Sequence, residues 1–306
     1  MRPVVKFVVW VSALLAGSFP THANPVFMIT YSTAVQNNPQ FLTGIEPAVN
    51  YVTSLYSSLF SNNVTINFTI NQSLGVPLTE NFPAPQQNSS FSQIVTALAA
   101  DGSGAYLPQA DPTIGLNIGG WFINTAEAKA LGIFAGDPNA SDGTMYFNPS
   151  QPYTFDPSNQ SVPNEYDFVA LVEHEFSEMM GRDSNLASGE LLPYDLFRFT
   201  APNSPNFSTT QANVYFSINN GATNLANFNS DPSGDIMDWA QNGVANDPYN
   251  AFAFPGQGYA LNAVDLESMN AVGWESATPE PSAVVPLTLA LGLIAVRLRR
   301  ARASRV

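Results

Sequence analysis

His174 is the one histidine beyond His22, and it stands in the run Val172-Glu173-His174-Glu175-Phe176-Ser177-Glu178-Met179-Met180-Gly181-Arg182. On a helix, His174 and Glu178 are four positions apart and project from one face. An imidazole and a carboxylate on one face can grip one metal ion, with zinc the expected cofactor. Glu175, between them, is placed to take a proton from a water beside that metal. No further imidazole or thiol is present, so a third ligand must be a carboxylate. Asp195, in Leu192-Pro193-Tyr194-Asp195-Leu196-Phe197-Arg198, is the candidate. A lone acid in an apolar run costs free energy unless it is paired or ligated. Asp183 is the alternative third ligand, and pairing of Asp195 with Arg198 or Arg182 is the competing reading of that acid. Tyr194 and Arg198 are candidates for stabilising an oxyanion. Asp231, Asp235 and Asp238, with Gly234 among them, form a second acidic group that could bind calcium, the alternative being a solvated turn. Without a metal, the His174 stretch reads as a polar patch on a packed helix.

The elements that must position these residues follow from periodicity. Val26 to Tyr31 reads as a strand, apolar on both faces and so central. Apolar residues recur at helical spacing through Ile45 to Phe60. Val64 to Ile70 alternates as a half-buried strand. Phe91 to Ala99 reads as a helix, Thr113 to Ile123 as a strand, and Met145 to Phe147 as another strand after the turn Ser141-Asp142-Gly143. Phe155 to Tyr166 is a loop. Asp167 then caps the helix that carries His174, and Gly181 is placed to stop it. A final helix is expected within Tyr259 to Trp274, with Asp265 as its cap. Beyond Gly181 the chain is rich in Pro, Gly and Asn. The expected class is α+β with a loop-rich C-terminal subdomain. The order of elements resembles the N-terminal half of metzincin-type zinc peptidases, which implies a twisted mixed sheet with the His174 helix beneath it.

Charge and the chain ends bound the function. The net charge is −14 and there is no cysteine. Between residues 24 and 276 only Lys129, Arg182 and Arg198 are basic. Nucleic acid and anionic lipid are therefore poor partners. Residues 1–23, with Arg2 and Lys6 before the apolar run Phe7 to Leu15 and then Thr21-His22-Ala23, are expected to be a signal peptide. Residues 24–276, roughly 250 in number, suffice for one domain with its own core. Residues 277–306 carry Pro279-Glu280-Pro281, the apolar run Ala283 to Val296, and Arg297, Arg299, Arg300, Arg302 and Arg305, a stop-transfer pattern.

That order of Pro-Glu-Pro, hydrophobic helix and arginine cluster resembles the PEP-CTERM sorting signal of exosortase-bearing Gram-negative bacteria. The resemblance implies transient anchoring in the inner membrane, processing by signal peptidase and exosortase, and delivery to the cell surface, outer membrane or extracellular matrix. Deleting Pro279 to Val306 is expected to release the protein or block its processing without unfolding it. Fractionation together with a melting curve tests this, and loss of the folded domain would contradict it.

The His174 stretch resembles the zinc-peptidase pattern H-E-x-x-H and its metzincin extension H-E-x-x-H-x-x-G-x-x-H. His174, Glu175 and Gly181 match, Glu178 stands at the second ligand position and Ser184 at the third. Tyr259 to Trp274 resembles the closing helix of metzincins, and Asp235-Ile236-Met237-Asp238-Trp239 faintly resembles their methionine turn. Together with the Leu-Pro-Tyr-Asp-Leu-Phe-Arg and Gly-Asp-Ile-Met-Asp-Trp segments, the chain resembles a family of PEP-CTERM-anchored metalloproteases. That implies a zincin-like fold and zinc-dependent hydrolysis of a protein or peptide substrate. The alternative is a non-catalytic surface or matrix protein with a degenerate, structural metal site.

Overall fold

The computed structural model describes residues 24–277 except 84–85, 103–104, 117–118, 211 and 242. The expected leader and the Pro-Glu-Pro, apolar and arginine segments lie outside the described residues, among which no helix is long and apolar enough to cross a membrane. The chain is α+β, built on a four-stranded mixed sheet.

The sheet is made of β1 (Val26–Tyr31), β2 (Thr65–Gln72), β3 (Thr79–Pro83) and β4 (Gly143–Phe147), in spatial order β1-β2-β4-β3. β1, β2 and β4 run parallel and β3 antiparallel, with Phe27 opposite Ile66, Phe68 opposite Gly143 and Thr79 opposite Phe147. α1 (Pro39–Leu59) links β1 to β2, starting on Pro39 at its first turn, where the missing N–H costs nothing. The parallel strands need such a crossover. α2 (Phe91–Asp101) and α3 (Thr125–Ala130) lie between β3 and β4 in sequence.

α4 (Phe168–Met179) carries the His174 stretch. One Asp167 oxygen accepts from the Ala170 amide at 3.2 Å, capping the helix as expected, while the other holds Tyr259 N. Phe168, Val172, Phe176 and Met179 face the sheet, with Phe176 4.8 Å from Phe68 and Phe168 5.6 Å from Phe147 between ring centroids. Helix and sheet touch so closely at β4 that a Cβ on Gly143 would lie 2.3 Å from Met179 Sδ. Past the helix, Gly181 has φ +120°, and a Cβ there would lie 2.7 Å from the Glu127 carboxyl carbon, so both backbone and space demand glycine.

Three expectations are corrected. β1 lies at the sheet edge, with Val26 and Met28 53% and 56% exposed, because only its Phe27 face meets the helices. Among the described residues of Thr113 to Ile123, only Trp121–Ile123 is strand, paired with Gln87–Ser89. Asp111 draws Thr113 N and Oγ1 into a turn, and Gly115 and Gly120 take positive φ. The last helix among the described residues, α5 (Ala263–Ala271), is capped by Asn262, and Asp265 stands at its third position, returning a carboxylate to the Asn262 amide at 2.7 Å.

After α4 comes a second small sheet of β5 (Arg198–Ala201), β6 (Ser204–Pro205), β7 (Tyr215–Phe216) and β8 (Ala226–Asn227), in order β6-β5-β7-β8. Phe216 of β7 and Phe228, just past β8, pack on Trp239 with ring centroids 5.7 Å and 5.4 Å away. The Trp239 indole also donates to Asp265 at 2.8 Å, and Trp274 donates to the Met180 carbonyl at 2.7 Å. These anchors tie the downstream half of the chain to the end of α4.

Candidate metal centre

His174 and Glu178 are one turn apart on α4, and their facing atoms, Nε2 and Oε1, are 3.1 Å apart. The other ring nitrogen, Nδ1, lies 2.7 Å from the Pro248 carbonyl and donates to it, which leaves Nε2 turned toward the carboxylates. Asp238 Oδ1 lies 3.6 Å from the same Nε2. Among the described residues, His174, Glu178 and Asp238 are the group whose ligand atoms all fall within 4.8 Å of one another. This group, with His174 half-buried and Glu178 and Asp238 buried, could hold a metal ion. One imidazole and two carboxylates suit zinc and also harder ions.

Asp238 is held from both sides of its backbone. Its carbonyl accepts from Asn229 N at 2.7 Å, and the next residue, Trp239, exchanges backbone bonds with Tyr249 and Ala251. Beneath the group lies Arg182, fully buried, its guanidinium donating to Asp238 Oδ1 at 2.8 Å and Glu178 Oε1 at 3.3 Å. It also donates to Ser177 Oγ and stacks 4.3 Å from the Tyr249 ring centroid. Burial lowers the His174 pKa, but Asp238 and Glu178 more than reverse this and push it up to about 10. A metal ion at Nε2 must displace that proton, so binding weakens as pH falls.

Glu175 stands three residues before Glu178 on α4. Asn81 of β3 donates to Glu175 Oε2 at 2.8 Å and reaches Glu178 Oε2 as well, tying the edge strand to α4. Burial raises the Glu175 pKa, with His174 opposing it. A raised carboxyl pKa moves a general base toward its working pH. His174, Glu175, Glu178 and Asp238 all line one cleft of about 790 Å³, walled by β3 on one side and by 233–238 and 247–253 on the other.

The other sequence-derived residues lie elsewhere. Asp195 sits in a tight helical turn, Pro193–Phe197, where its carboxylate accepts from Leu192 N at 2.9 Å and Ser184 Oγ at 2.6 Å. The acid in the apolar run is therefore satisfied by its own turn, and Asp238 takes the third place at the metal group. Asp183 lines the cleft, held by Asn124 and by Ser184 N. Tyr194 and Arg198 are buried outside the cleft lining. Arg198 donates to the Ile236 carbonyl at 2.6 Å and lies over the Phe228 ring. Asp231 is taken up by Ser233 N and Oγ in an exposed turn, and Asp238 faces His174, so the proposed calcium trio does not converge. Asn81 and the Pro248 carbonyl carry no sequence signal. The Asp238-Trp239 pair does, as an acid beside a large anchor.

The buried carboxyls set a pH dependence. Burial pushes Asp195 up to about 7 and Asp167 to about 6, and burial with Asp247 pushes Asp265 to about 8. A raised folded pKa gives stability that is present below the unfolded value, near pH 4, and lost as pH rises through the folded value. In chelator, the urea midpoint is expected to fall between pH 5 and pH 8. A midpoint that rises across that window would contradict the assignment of these groups as buried acids.

No family model, curated protein or solved structure matches the chain.

Proposed function

We propose that the protein is an exported zinc-dependent endopeptidase-like hydrolase with a zincin-like arrangement. The observation that carries this reading is the convergence of His174, Glu178 and Asp238 in an open cleft with Glu175 beside them. The fit is chemical. The fixed Nδ1 of His174 leaves Nε2 as a ligand, and two carboxylates complete three protein ligands, the number usual for a catalytic zinc. A bound zinc supplies Lewis acidity toward a peptide carbonyl and toward water. Glu175 accepts the proton of the attacking water and returns it to the leaving amine nitrogen. Asn81 orients Glu175, and Arg182 fixes the two ligating carboxylates from beneath. Export, processing by signal peptidase and exosortase, and delivery to the surface or matrix rest on the Pro-Glu-Pro, apolar and arginine order at the C-terminus. The substrate is a protein or peptide. The test is cleavage of casein and unstructured peptides by the purified domain. Cleavage removed by chelator and restored by zinc is expected, and its absence across a broad panel sinks the reading.

One observation favours a second reading, a non-catalytic surface or matrix protein. Arg182 already bridges Glu178 Oε1 and Asp238 Oδ1, closing a balanced network of two cationic and two anionic side chains. Such a network can be structural, and Glu175 separates the two readings because only hydrolysis requires it.

A further inference from the structure

A second cavity lies apart from the metal cleft. The segment Tyr106-Leu107-Pro108-Gln109-Ala110-Asp111-Pro112 brings an aromatic ring and two prolines to it. Tyr106 N donates to the Ile218 carbonyl just past β7, which ties the segment to the second small sheet. Asp111 accepts from Thr113 N at 2.9 Å and from the Trp121 indole at 3.1 Å, which fixes the far end. The cavity between segment and sheet measures about 280 Å³. Tyr106, Leu196, Phe199, Phe207 and three prolines give it apolar walls, and Asn203 and Asn220 are its polar lining. It shares no lining residue with the cleft that holds His174.

The polar lining is set by the backbone. Asn203 and Asn220 hold φ of +61° and +57°, the left-handed region that asparagine enters more readily than most residues. Asn203 N donates to the Asn220 carbonyl at 2.8 Å, and Asn220 Nδ2 donates to Asn203 Oδ1. Two side-chain amides joined in this way leave one amide nitrogen, on Asn203, and one carbonyl oxygen, on Asn220, for a ligand. The Phe199 ring packs so closely on Gly221 that a Cβ there would lie 2.9 Å from its Cδ1. Tyr106 is 38% exposed, so its ring is open to a ligand.

This lining selects by chemistry. Apart from the Tyr106 phenol, no ionisable side chain lines the cavity, so a charged ligand finds no counter-charge there. An anionic ligand also meets a net charge of −14, with Lys129 tied to Asp142 at 2.6 Å and Arg182 and Arg198 buried. A purely apolar group covers the two amides without pairing them. Prolines of an extended peptide bring carbonyl acceptors but no N–H for Asn220 Oδ1. A pyranose meets both demands. Its C–H face lies on aromatic rings, and its hydroxyls both donate and accept. The volume is at the small end of ligand cavities, room for one ring. We propose that this cavity binds one neutral pyranose unit of a glycan, stacked on Tyr106 and hydrogen-bonded to Asn203 and Asn220. The site is independent of the metal group and of the peptidase reading.

The test is calorimetry of the purified protein, in chelator and in zinc, with neutral oligosaccharides of glucose in α and β linkage, of mannose and of galactose. Oligoproline and oligogalacturonate serve as the uncharged peptide and the acidic glycan for comparison. Saturable binding of at least one neutral glycan is expected, the same in chelator and in zinc, with neither comparison probe bound. Tyr106→Ala should weaken it roughly tenfold, the upper range for an aromatic contact. Asn203→Gly keeps a left-handed backbone and should weaken it roughly threefold to tenfold through the lost amide. Both positions are exposed, and melting curves of the two variants check that each is folded. Absence of binding by every neutral glycan overturns the proposal. So does binding that is unchanged in both variants, or binding of oligoproline or oligogalacturonate in place of the neutral glycans. Binding that depends on zinc would place the glycan in the metal cleft and overturn the proposal as well.

Discussion

Glu175→Gln is expected to leave the domain folded and carrying its metal while peptide hydrolysis falls by a factor on the order of a hundred or more. The substitution keeps size and shape, and its amide can still meet Asn81, now 2.8 Å from Glu175 Oε2. It removes only the capacity to accept a proton. Glu175 lies outside the group formed by His174, Glu178 and Asp238, so metal content should not change. Zinc analysis and the melting midpoint, read beside activity, separate the outcomes. Full activity in the variant would show that another group moves the proton. Loss of the metal would place Glu175 among the ligands.

Arg182→Met is expected to cost about 3–5 kcal/mol of folding stability in chelator, the scale for removing one partner of a buried ion pair. The guanidinium is fully buried, touches Glu178, Asp238 and Ser177, and stacks on Tyr249. Without it, the two buried carboxylates keep His174 as their one charged partner. Zinc at the same carboxylates should return part of the loss, since a ligand that binds only the folded state stabilises it by mass action. Urea unfolding in chelator and in zinc measures both terms. A loss below about 1 kcal/mol, the range of an exposed pair, would show that the network is not held as an ion-pair cluster.

The helix that carries the candidate site was legible because its signals are local. Asp167 is its cap, Phe168, Val172, Phe176 and Met179 keep helical spacing, and Gly181 ends it at positive φ. His174 and Glu178 share a face for the same reason. The third acid of the group was not legible. Asp195 looked costly in its apolar run, yet a side chain can satisfy a turn three residues back, and this one does. Asp238 reaches His174 through tertiary packing, because Trp239 is gripped by Phe216, Phe228 and Asp265. Periodicity carries no trace of that. β1 misled for a related reason, since apolar residues on both faces do not guarantee a second layer. The short strands β5 to β8, of two to four residues, are too brief for an alternating pattern to show.

The most direct test of the central claim is the zinc content of the purified domain, measured by elemental analysis after chelation and reloading, in the unsubstituted protein and in His174→Ala. His174 is the only imidazole in the domain and offers its Nε2 to both Glu178 and Asp238. The account predicts about one zinc per chain, released by chelator and regained on reloading, and almost none in the variant, because a site that loses its only imidazole keeps just two carboxylates. Equal zinc in the two proteins, or none in either after reloading, would contradict it.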